Sequence, residues 1–441
     1  MKAVVVGGGL AGLAAALDLV DSGWSVALLE ARPTLGGAVQ TLPEREGDPE
    51  PPPDNGQHVA LGCCSCYLAF LERLGQAGCV LRAPLALPVV AEDGSTATIR
   101  PGALALLRYR HLSLRDRVAV ARAVRRISAL AAREHDGETF VELLERLGQS
   151  EQAIERFWDV FIRPALNLRS GEASAALAVF TVQTALLGPS GSSDLVLPAA
   201  PLGAVHGEAG GRALLAAGAD VRTRARVVGL DAEAAVLSDG DRVEGDAFVV
   251  ALPPAESARV LGEPEPPLDD SPIVSVHLVV DRPLLRTPLA AVLGSAAHWV
   301  FDRGRLAARA PTRGQYLTVV SSGAPELLEV RGRELVELIA GELTARLGRA
   351  DVVWSRVSRE PAATFAARPG SAALRPGPRT TRPNVARAGA WTDTGWPATM
   401  ESAVRSGLAA AALLRGHPVP PPALERSGGG RARAWSEVTE A

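Results

Sequence analysis

Three glycines near the start of the chain have the spacing needed to bind the phosphates of a dinucleotide. Gly7, Gly9 and Gly12 lie between a β-rich run, Lys2–Val6, and the helix-like stretch Leu13–Ser22. The first glycine permits a tight turn, the second lets the backbone approach a pyrophosphate, and the third allows close packing of helix on strand. Amides at the helix start bind the phosphate charge. This arrangement predicts a dinucleotide-binding turn.

An acid and a second glycine pair indicate which dinucleotide binds. The next predicted strand, Ser25–Leu29, ends at Glu30, which lies 18 residues past Gly12 and can accept hydrogen bonds from a free ribose. This favours NAD or FAD over NADP. Gly36 and Gly37 follow soon afterwards, which is typical of FAD-binding folds of the glutathione reductase type. FAD is therefore the predicted cofactor.

Two later segments are predicted to return to the nucleotide. Asp246–Leu252 has the composition of a strand, and the prolines that follow it indicate a sharp turn. Asp220–Leu230 is predicted to form a strand pair beside the adenine. Together these elements predict an α/β fold: a glutathione-reductase-like FAD-binding Rossmann domain with an interleaved mixed-sheet and helical substrate domain.

The segment Ala388–Gly407 is predicted to complete the flavin site. It has the pattern of a strand end, a turn rich in Thr, Gly and Trp, and a helix that begins near Pro397–Met400. The free amides at a helix start stabilise negative charge. We expect these amides to face the N1–C2=O edge of the flavin, which becomes negative on reduction.

These segments imply an interleaved domain organisation. The predicted FAD-binding domain comprises residues 1–80, 201–262 and 366–415. The predicted substrate domain comprises residues 81–200 and 263–365, and its first part is also predicted to face the membrane. Residues 416–441 lack hydrophobic periodicity and are predicted to be disordered.

Composition excludes several classes of function. The 441 residues are 47% apolar, enough for two or three packed domains, and the net charge of −3 gives no case for a nucleic-acid partner. Lysine occurs only at position 2. A Schiff base or a buried catalytic lysine would therefore have to be Lys2, which opens the first strand.

The four cysteines do not indicate a disulfide framework or a metal site. Cys63 and Cys66 have the C-x-x-C spacing of a redox pair, but no second pair completes a set of metal ligands.

The apolar N-terminus is interrupted by glycines and Asp18, and no apolar run has the length of a membrane span. A cytoplasmic location is expected.

Four segments together resemble one family. They are DNGQHVALG at 54–62, SDLVLP at 193–198, HWVFDRG at 298–304 and WTDTGWPATMESAVRSG at 391–407. They resemble the FAD-dependent hydroxysqualene dehydroxylases of hopanoid biosynthesis, also described as squalene-associated FAD-dependent desaturases. That family lies within the flavin amine oxidase and phytoene desaturase superfamily. The resemblance runs from residue 1 to about 415.

The resemblance implies that hydroxysqualene, a lipophilic C30 isoprenoid, is reduced to squalene. Reduced FAD would give a hydride from N5 to an allylic cation, and no segment indicates which electron donor reduces the FAD. The protein must protonate the leaving hydroxyl group. The candidate catalytic residues are His58, Asp54 and Asp393. A histidine has the most suitable unperturbed pKa for this task.

The cofactor contacts that these arguments predict are Gly7, Gly9, Leu10, Ala11, Gly12, Glu30, Ala31, Arg32, Gly36, Gly37, Val227, Trp391, Met400 and Ala403. Two positions depart from the family pattern. Ala38 stands where relatives usually have a pyrophosphate-binding arginine, and Ala390 stands where they usually have an aspartate that binds the ribityl or phosphate region. Weaker FAD binding is expected unless another arginine, such as Arg32, compensates.

Arg108–Arg126 is predicted to form a basic amphipathic helix. It carries seven arginines and one acid, Asp116. Such a helix is either a solvated face over a core stripe or a surface for anionic lipid, which would place the protein peripherally on the inner face of the plasma membrane.

Three other functions are consistent with parts of the sequence. The first is a carotenoid or phytoene-type desaturase, since a sequence does not set the direction of electron flow. The second is an amine oxidase, although such enzymes commonly place a lysine near N5 and this chain has none to spare. The third is a flavin-free scaffold of isoprenoid enzymes, which Ala38 and Ala390 would favour.

Overall fold

The computed structural model of the protein describes residues 1–425. The strands of these residues are β1 (Lys2–Val6), β2 (Ser25–Leu29), β3 (Ala60–Leu61), β4 (Val80–Ala83), β5 (Leu87–Val90), β6 (Thr96–Ile99), β7 (Leu195–Pro198), β8 (Asp220–Arg222), β9 (Val227–Leu230), β10 (Ala234–Leu237), β11 (Arg242–Glu244), β12 (Ala247–Val250), β13 (Asp270–Val280), β14 (Leu289–Val292), β15 (Trp299–Asp302), β16 (Gln315–Ser322), β17 (Val352–Phe365) and β18 (Val385–Arg387).

The α-helices of the same residues are α1 (Leu10–Asp21), α2 (Ser65–Arg73), α3 (Ala103–Leu106), α4 (Leu114–Ile127), α5 (Phe140–Arg146), α6 (Glu151–Ala153), α7 (Asp159–Leu166), α8 (Ala175–Thr181), α9 (Ala209–Ala216), α10 (Pro254–Leu261), α11 (Arg303–Leu306), α12 (Gly332–Leu347), α13 (Ser371–Leu374) and α14 (Met400–Leu414). Short 3-10 turns lie at Ala77–Cys79, Ala132–His135, Pro325–Leu327 and Ala423–Glu425, and π-helical turns at Ile154–Trp158, Val182–Leu186 and Ala204–Glu208.

A five-stranded parallel sheet organises the first domain, in the order β18-β12-β1-β2-β8. At its centre Val4 pairs with Phe248 on one side and Ala27 on the other, and all three are buried. Continuous apolar runs of this kind are expected where a parallel sheet is covered on both faces. The carboxyl ends of β1, β2, β12 and β18 consequently meet at one edge, which is where a doubly wound sheet binds its ligand.

Helices α1 and α14 pack directly against each other beside this sheet. A Cβ atom at Gly407 would lie 2.1 Å from the carbonyl oxygen of Ala11, so the contact requires a glycine. Further along both helices, Arg415 forms an ion pair with the buried Asp18 at 3.0 Å. The two contacts advance in the same direction along both helices. The N-termini of α1 and α14 therefore point to the same side of the molecule.

A seven-stranded sheet forms the second domain, in the order β17-β13-β16-β15-β14-β5-β6. On one face Val276 and Leu278 belong to the same apolar cluster as Ile339 of α12. Since side chains alternate along a strand, Ser275 lies on the opposite face, where a Cβ at Gly56 would be 2.9 Å from its Oγ. This second face therefore packs against residues 54–58 of the first domain.

The prediction that Asp220–Leu230 forms a strand pair was wrong. Strand β8 extends the parallel sheet, whereas β9 belongs to a separate three-stranded sheet with the order β11-β10-β9. The backbone of β8 pairs with β2, and that of β9 pairs with β10. The chain changes direction between them at Arg224, which has a φ of 57°.

The basic helix is shorter than predicted. It begins at Leu114, because Ser113 caps it by accepting a hydrogen bond from the amide of Asp116. Three other predicted strands, Lys2–Val6, Ser25–Leu29 and Asp246–Leu252, lie within two residues of their expected bounds. Of the tail predicted to be disordered, residues 426–441 lie outside the described part, and the 3-10 turn at 423–425 contacts Gly395. No helix within residues 1–425 has the length and apolarity to cross a bilayer.

Candidate cofactor and active site

The glycine turn after β1 holds the start of α1 against the sheet. Gly7 has a φ of 103°, and a Cβ there would lie 2.4 Å from the carbonyl oxygen of Ala251. A Cβ at Gly12 would lie 1.9 Å from the oxygen of Gly7. Helix α1 has no side-chain cap, and the amides of Leu10 and Ala11 have no acceptor among the described residues. These amides are available for an anion.

The second glycine pair packs on the first turn and completes a bare backbone surface. The amide of Gly36 donates to the oxygen of Gly8 at 2.8 Å. A Cβ at Gly37 would lie 2.8 Å from the Cα of Gly9. Among residues 1–425, a Cβ at Gly9 would approach just one non-neighbouring atom within 4 Å, the Cα of Gly37 at 3.7 Å. Two loops without side chains therefore face each other, as close approach to a pyrophosphate requires.

Glu30 anchors the end of β2 at the same place. Its Oε2 accepts a hydrogen bond from the amide of Gly8 at 2.7 Å, and its Oε1 accepts one from the amide of Arg32, also at 2.7 Å. The carboxylate is 8% exposed. This geometry orients Glu30 within the nucleotide edge of the sheet, where a ribose would lie in a fold of this type.

A small cavity of about 40 Å³ lies next to Glu30, at the carboxyl ends of β1 and β2. Ala31 and Val227, both predicted cofactor contacts, line it together with Val6 and Leu252. Arg259 also lines it and was missed by the sequence analysis, because no local pattern links α10 to the nucleotide. The apolar walls suit a flat aromatic base such as adenine.

The N-terminus of α14 lies at the other end of this edge. Thr399 caps it by accepting from the amide of Ser402 at 3.2 Å, and the amide of Ala403 donates to the oxygen of Thr399 at 3.0 Å. The amides of Met400 and Glu401 have no acceptor within residues 1–425. Trp391, in the turn before the helix, donates from Nε1 to the oxygen of Leu252. Two free donors at a helix start suit a carbonyl or an anion.

Ala38 and Ala390, the two positions that depart from the family pattern, make polar contacts through their backbone carbonyl groups. Ala38 is exposed, and its carbonyl accepts from Asn55 Nδ2 at 2.8 Å. The nearby Arg32 reaches over the second glycine pair, with Nη1 3.3 Å from the oxygen of Gly37. Arg32 is therefore placed to supply a positive charge beside the two facing glycine loops. Beside Ala390 the polar contacts are to its carbonyl, from Ser402 and Arg375.

Asp54 has a structural environment that leaves little capacity for proton transfer. Its Oδ2 accepts from Arg303 at 2.8 Å, and its Oδ1 accepts from Thr41 Oγ1 and from the amide of Leu202. Burial raises the pKa of this carboxyl group, and the charge of Arg303 opposes the shift. The ion pair joins the two domains, so we interpret Asp54 as a link between them.

His58 lies next to this link, in a buried polar cluster. Burial lowers its pKa, and a hydrogen bond to the backbone of Gly56 opposes the shift. Its Nδ1 has no hydrogen-bond partner within the described chain. His206, which is close enough to interact with it, has its pKa lowered by burial to about 4 and accepts a hydrogen bond from Tyr67. His58 is therefore a neutral imidazole with one unsatisfied nitrogen.

The remaining acids of the predicted site have backbone partners. Asp393 accepts from the amide of Gly395 at 3.2 Å within the turn before α14. Glu401 is fully buried and accepts from the amides of Cys66 and Tyr67 at the start of α2. Glu401 thus caps one helix from the first turn of another. Burial and Glu401 raise the pKa of the Cys66 thiol to about 12, which disfavours a reactive thiolate.

A larger cavity of about 420 Å³ lies between α7 and the β14–β15 hairpin. Its lining includes Arg163, His298 and Trp299. His298 accepts from the amide of Ser322 through Nδ1, and burial, with Arg163 nearby, lowers its pKa to about 3. In the sequence His298 only marked the family resemblance, since its neighbours across the cavity come from distant segments.

The chain is similar to known proteins over most of its length. The family model described as flavin containing amine oxidoreductase matches residues 10–415. Hydroxysqualene dehydroxylases of Rhodopseudomonas palustris and Sinorhizobium fredii are 30% and 28% identical to the chain, each over 93% of this chain and 97% of the relative. The 15-cis-phytoene desaturase of Solanum lycopersicum is 25% identical over 94% of this chain and 78% of its own length.

Solved structures share the fold. An oxidoreductase from Methanosarcina mazei superposes with a TM-score of 0.73 at 18% identity, covering 92% of this chain and 99% of that one. A putative protoporphyrinogen oxidase from Exiguobacterium superposes with a TM-score of 0.70 at 16% identity, covering 94% and 98%. At these identities the likeness concerns the fold alone.

Proposed function

The chain belongs to the family of flavin containing amine oxidoreductases, and on that premise we propose that it reduces hydroxysqualene to squalene with electrons from FAD. The observation that carries the proposal is the similarity to hydroxysqualene dehydroxylases over 93% of the chain at up to 30% identity. The reaction takes one hydride and one proton and releases water, so the site must hold a flavin, a polyene and a proton donor.

The residues of the first domain fit FAD. The bare loops around Gly9 and Gly37 suit its diphosphate, and the cavity beside Ala31 and Val227 suits its adenine. The free amides at Met400 suit the pyrimidine edge of the flavin. When bound, reduced FAD supplies the hydride that the allylic carbon receives.

His58 is our candidate for handling the proton of the leaving hydroxyl group. It is partly buried on the loop that packs against the seven-stranded sheet. Its Nδ1 is inaccessible to solvent, has no hydrogen-bond partner among the described residues and is able to carry a proton. A histidine whose pKa is lowered is rarely protonated at neutral pH, but its protonated form is a stronger acid. Asp54 holds Arg303 and positions this loop, while Asp393 shapes the turn before α14.

Aromatic side chains near α14 would keep water from a cationic intermediate. Trp396 packs edge to face on Phe180 of the helical region, with ring centroids 5.1 Å apart, and Arg405 covers the Trp396 ring at 5.1 Å. Both aromatic side chains are buried. An allylic cation is protected from hydrolysis where water is excluded and aromatic faces are near.

We also propose that a basic apolar surface docks on anionic membrane lipid. This surface consists of Leu104, Leu107, Arg108, Arg110, Leu114, Arg115, Val118, Arg122, Arg125 and Arg126, all exposed. Leu104 is 78% exposed and Leu114 is 66% exposed. Asp116, which is buried, is the one acid in residues 100–130. Exposed leucines among arginines fit the interfacial region of an anionic bilayer.

The basic apolar surface lies near the larger cavity. Tyr109, which lies between two of its arginines, donates a hydrogen bond of 2.6 Å to the carbonyl oxygen of Arg156. Arg156 lines the cavity and pairs with Glu92 on the same wall. This proximity supports a membrane-dissolved substrate that passes from the surface to the cavity.

A second candidate is a phytoene-type desaturase, which the similarity to the tomato enzyme favours. The two candidates differ in the direction of electron flow. Anaerobic incubation of the protein with reduced FAD and hydroxysqualene should give squalene. Absence of squalene, together with oxidation of phytoene by the protein with oxidised FAD, would favour the desaturase instead.

A further inference from the structure

One arginine is buried beneath the turn that leads into α14. Arg375 is 5% exposed, and its guanidinium lies over the ring of Phe365 at 4.7 Å. Its Nε donates to the oxygen of Trp391 at 3.2 Å, and its Nη2 donates to the oxygens of Ala390 and Thr392. Arg375 thus binds three successive carbonyl groups with two of its nitrogens.

The charge of Arg375 has no bonded counter-ion. Its Nη1 is buried without a hydrogen-bond partner, and none of the ion pairs among residues 1–425 includes it. Asp393 and Asp136 are near enough to raise its pKa, but burial outweighs them and lowers the pKa to about 10. The group therefore stays charged at neutral pH. A buried charge with an unsatisfied donor is costly, unless a bound anion completes its surroundings.

The position of Arg375 indicates which anion this is. Residues 390–392 precede the free amides of Met400 and Glu401 at the start of α14, where our proposed function places the N1–C2=O edge of the flavin. Reduction of the flavin adds negative charge at that edge, whereas its oxidised form is neutral there. A cation in a low-dielectric site stabilises the reduced form selectively.

We propose that Arg375 is the counter-charge for reduced FAD, so that the protein binds reduced FAD more tightly than oxidised FAD. The inference rests on the proposed function, because it requires a flavin at the start of α14. Selective binding of the reduced form raises the reduction potential of bound FAD by linkage. The cofactor would then remain reduced until the substrate is bound.

The test compares R375Q and R375K with the unmodified protein, each as the FAD complex. Equilibration with redox dyes gives the reduction potential, and fluorescence titration gives the dissociation constant for oxidised FAD. R382Q is the matched control, since Arg382 is partly buried and also donates to backbone carbonyls, those of Leu230 and Asp231. R375Q should lose at least tenfold of the preference for reduced FAD, about 30 mV for a two-electron couple. R375K and R382Q should retain it.

An unchanged potential in R375Q that still binds FAD would overturn the inference, as would a loss in R375K equal to that in R375Q. If R375Q does not fold, the unmodified protein and R375K decide the question. Tighter binding of oxidised than of reduced FAD by the unmodified protein would contradict the proposal. In each case squalene formation would remain measurable, so failure of this inference is distinguishable from failure of the proposed function.

Discussion

At the scale of single residues, we expect FAD binding to depend on Glu30. The carboxylate is fixed by two backbone amides, so its direction is set before any ligand arrives. Hydrogen bonds to charged groups contribute about 1.5–3 kcal/mol each. E30A should therefore weaken FAD binding by about 10- to 100-fold, as measured by titration. E256Q is the control, because Glu256 lines the same small cavity but is exposed. Equal affinities of E30A and the parent would remove Glu30 from the site.

The proton-handling role of His58 predicts a pH dependence with a defined sign. Burial lowers its pKa below the ordinary value of 6.5, so the protonated fraction above that pH falls tenfold for each unit of pH. The rate of the chemical step should consequently rise about tenfold per unit as pH falls from 8.5 to 6.5. H58Q should be slower and show no such slope, whereas the exposed-histidine control H417Q should behave like the parent. A slope that persists in H58Q would assign the proton to another group.

At the scale of elements, the contact between α1 and α14 brings two helix N-termini to the same side of the molecule, where we propose that FAD binds. G407A would place a methyl group against the carbonyl of Ala11 and push the helices apart. We expect a loss of about 1–3 kcal/mol in the free energy of unfolding, with reduced FAD retention through purification. The control is G341A in α12, where a Cβ meets no atom within 4 Å. That substitution should not destabilise the protein. G407A protein that is as stable and as rich in FAD as the parent would show that the contact is not required.

Local elements of this site could be predicted from the sequence, but contacts between distant segments could not. The first glycine turn and Glu30 have spacings that geometry fixes within 30 residues, so their positions at the end of the sheet could be predicted from pattern alone. By contrast, the buried pair of Asp54 and Arg303 joins residues 249 positions apart, and nothing near Asp54 indicates its partner. Asp54 was therefore predicted to be catalytic, whereas the structure places it in an interdomain ion pair. The contacts of Arg375 with the carbonyl groups of residues 390–392 could not be predicted for the same reason.

At the scale of the whole molecule, two buried ion pairs fasten the loop around residues 48–58 to the second domain. Arg303 binds Asp54 at 2.8 Å, and Arg356 binds Asp48 at 2.5 Å, with all four side chains nearly inaccessible to solvent. Removing one partner of such a pair leaves an uncompensated buried charge. The loop that carries His58 is consequently held between the first domain and the seven-stranded sheet of the second.

The basic apolar surface predicts how the whole molecule meets a membrane. Each arginine near an anionic bilayer contributes about 1 kcal/mol, so R122Q/R125Q/R126Q should bind anionic vesicles roughly 100-fold more weakly than the parent at low salt. The control R212Q/R333Q/R349Q removes three exposed arginines from other surfaces and should bind normally. Vesicle sedimentation measures both. If both triple variants lose the same affinity for anionic vesicles, binding depends on net charge and not on the basic apolar surface.

The most direct test of the account follows the hydride. Protein carrying reduced FAD is mixed anaerobically with hydroxysqualene in D2O, where the exchangeable hydrogen at flavin N5 is deuterium, and the product is analysed by mass spectrometry. We expect squalene with one deuterium at the carbon that bore the hydroxyl group, because reduced FAD is the proposed hydride donor. Squalene without the label would contradict the hydride mechanism, and no squalene from flavin-loaded protein would contradict the proposed reaction itself.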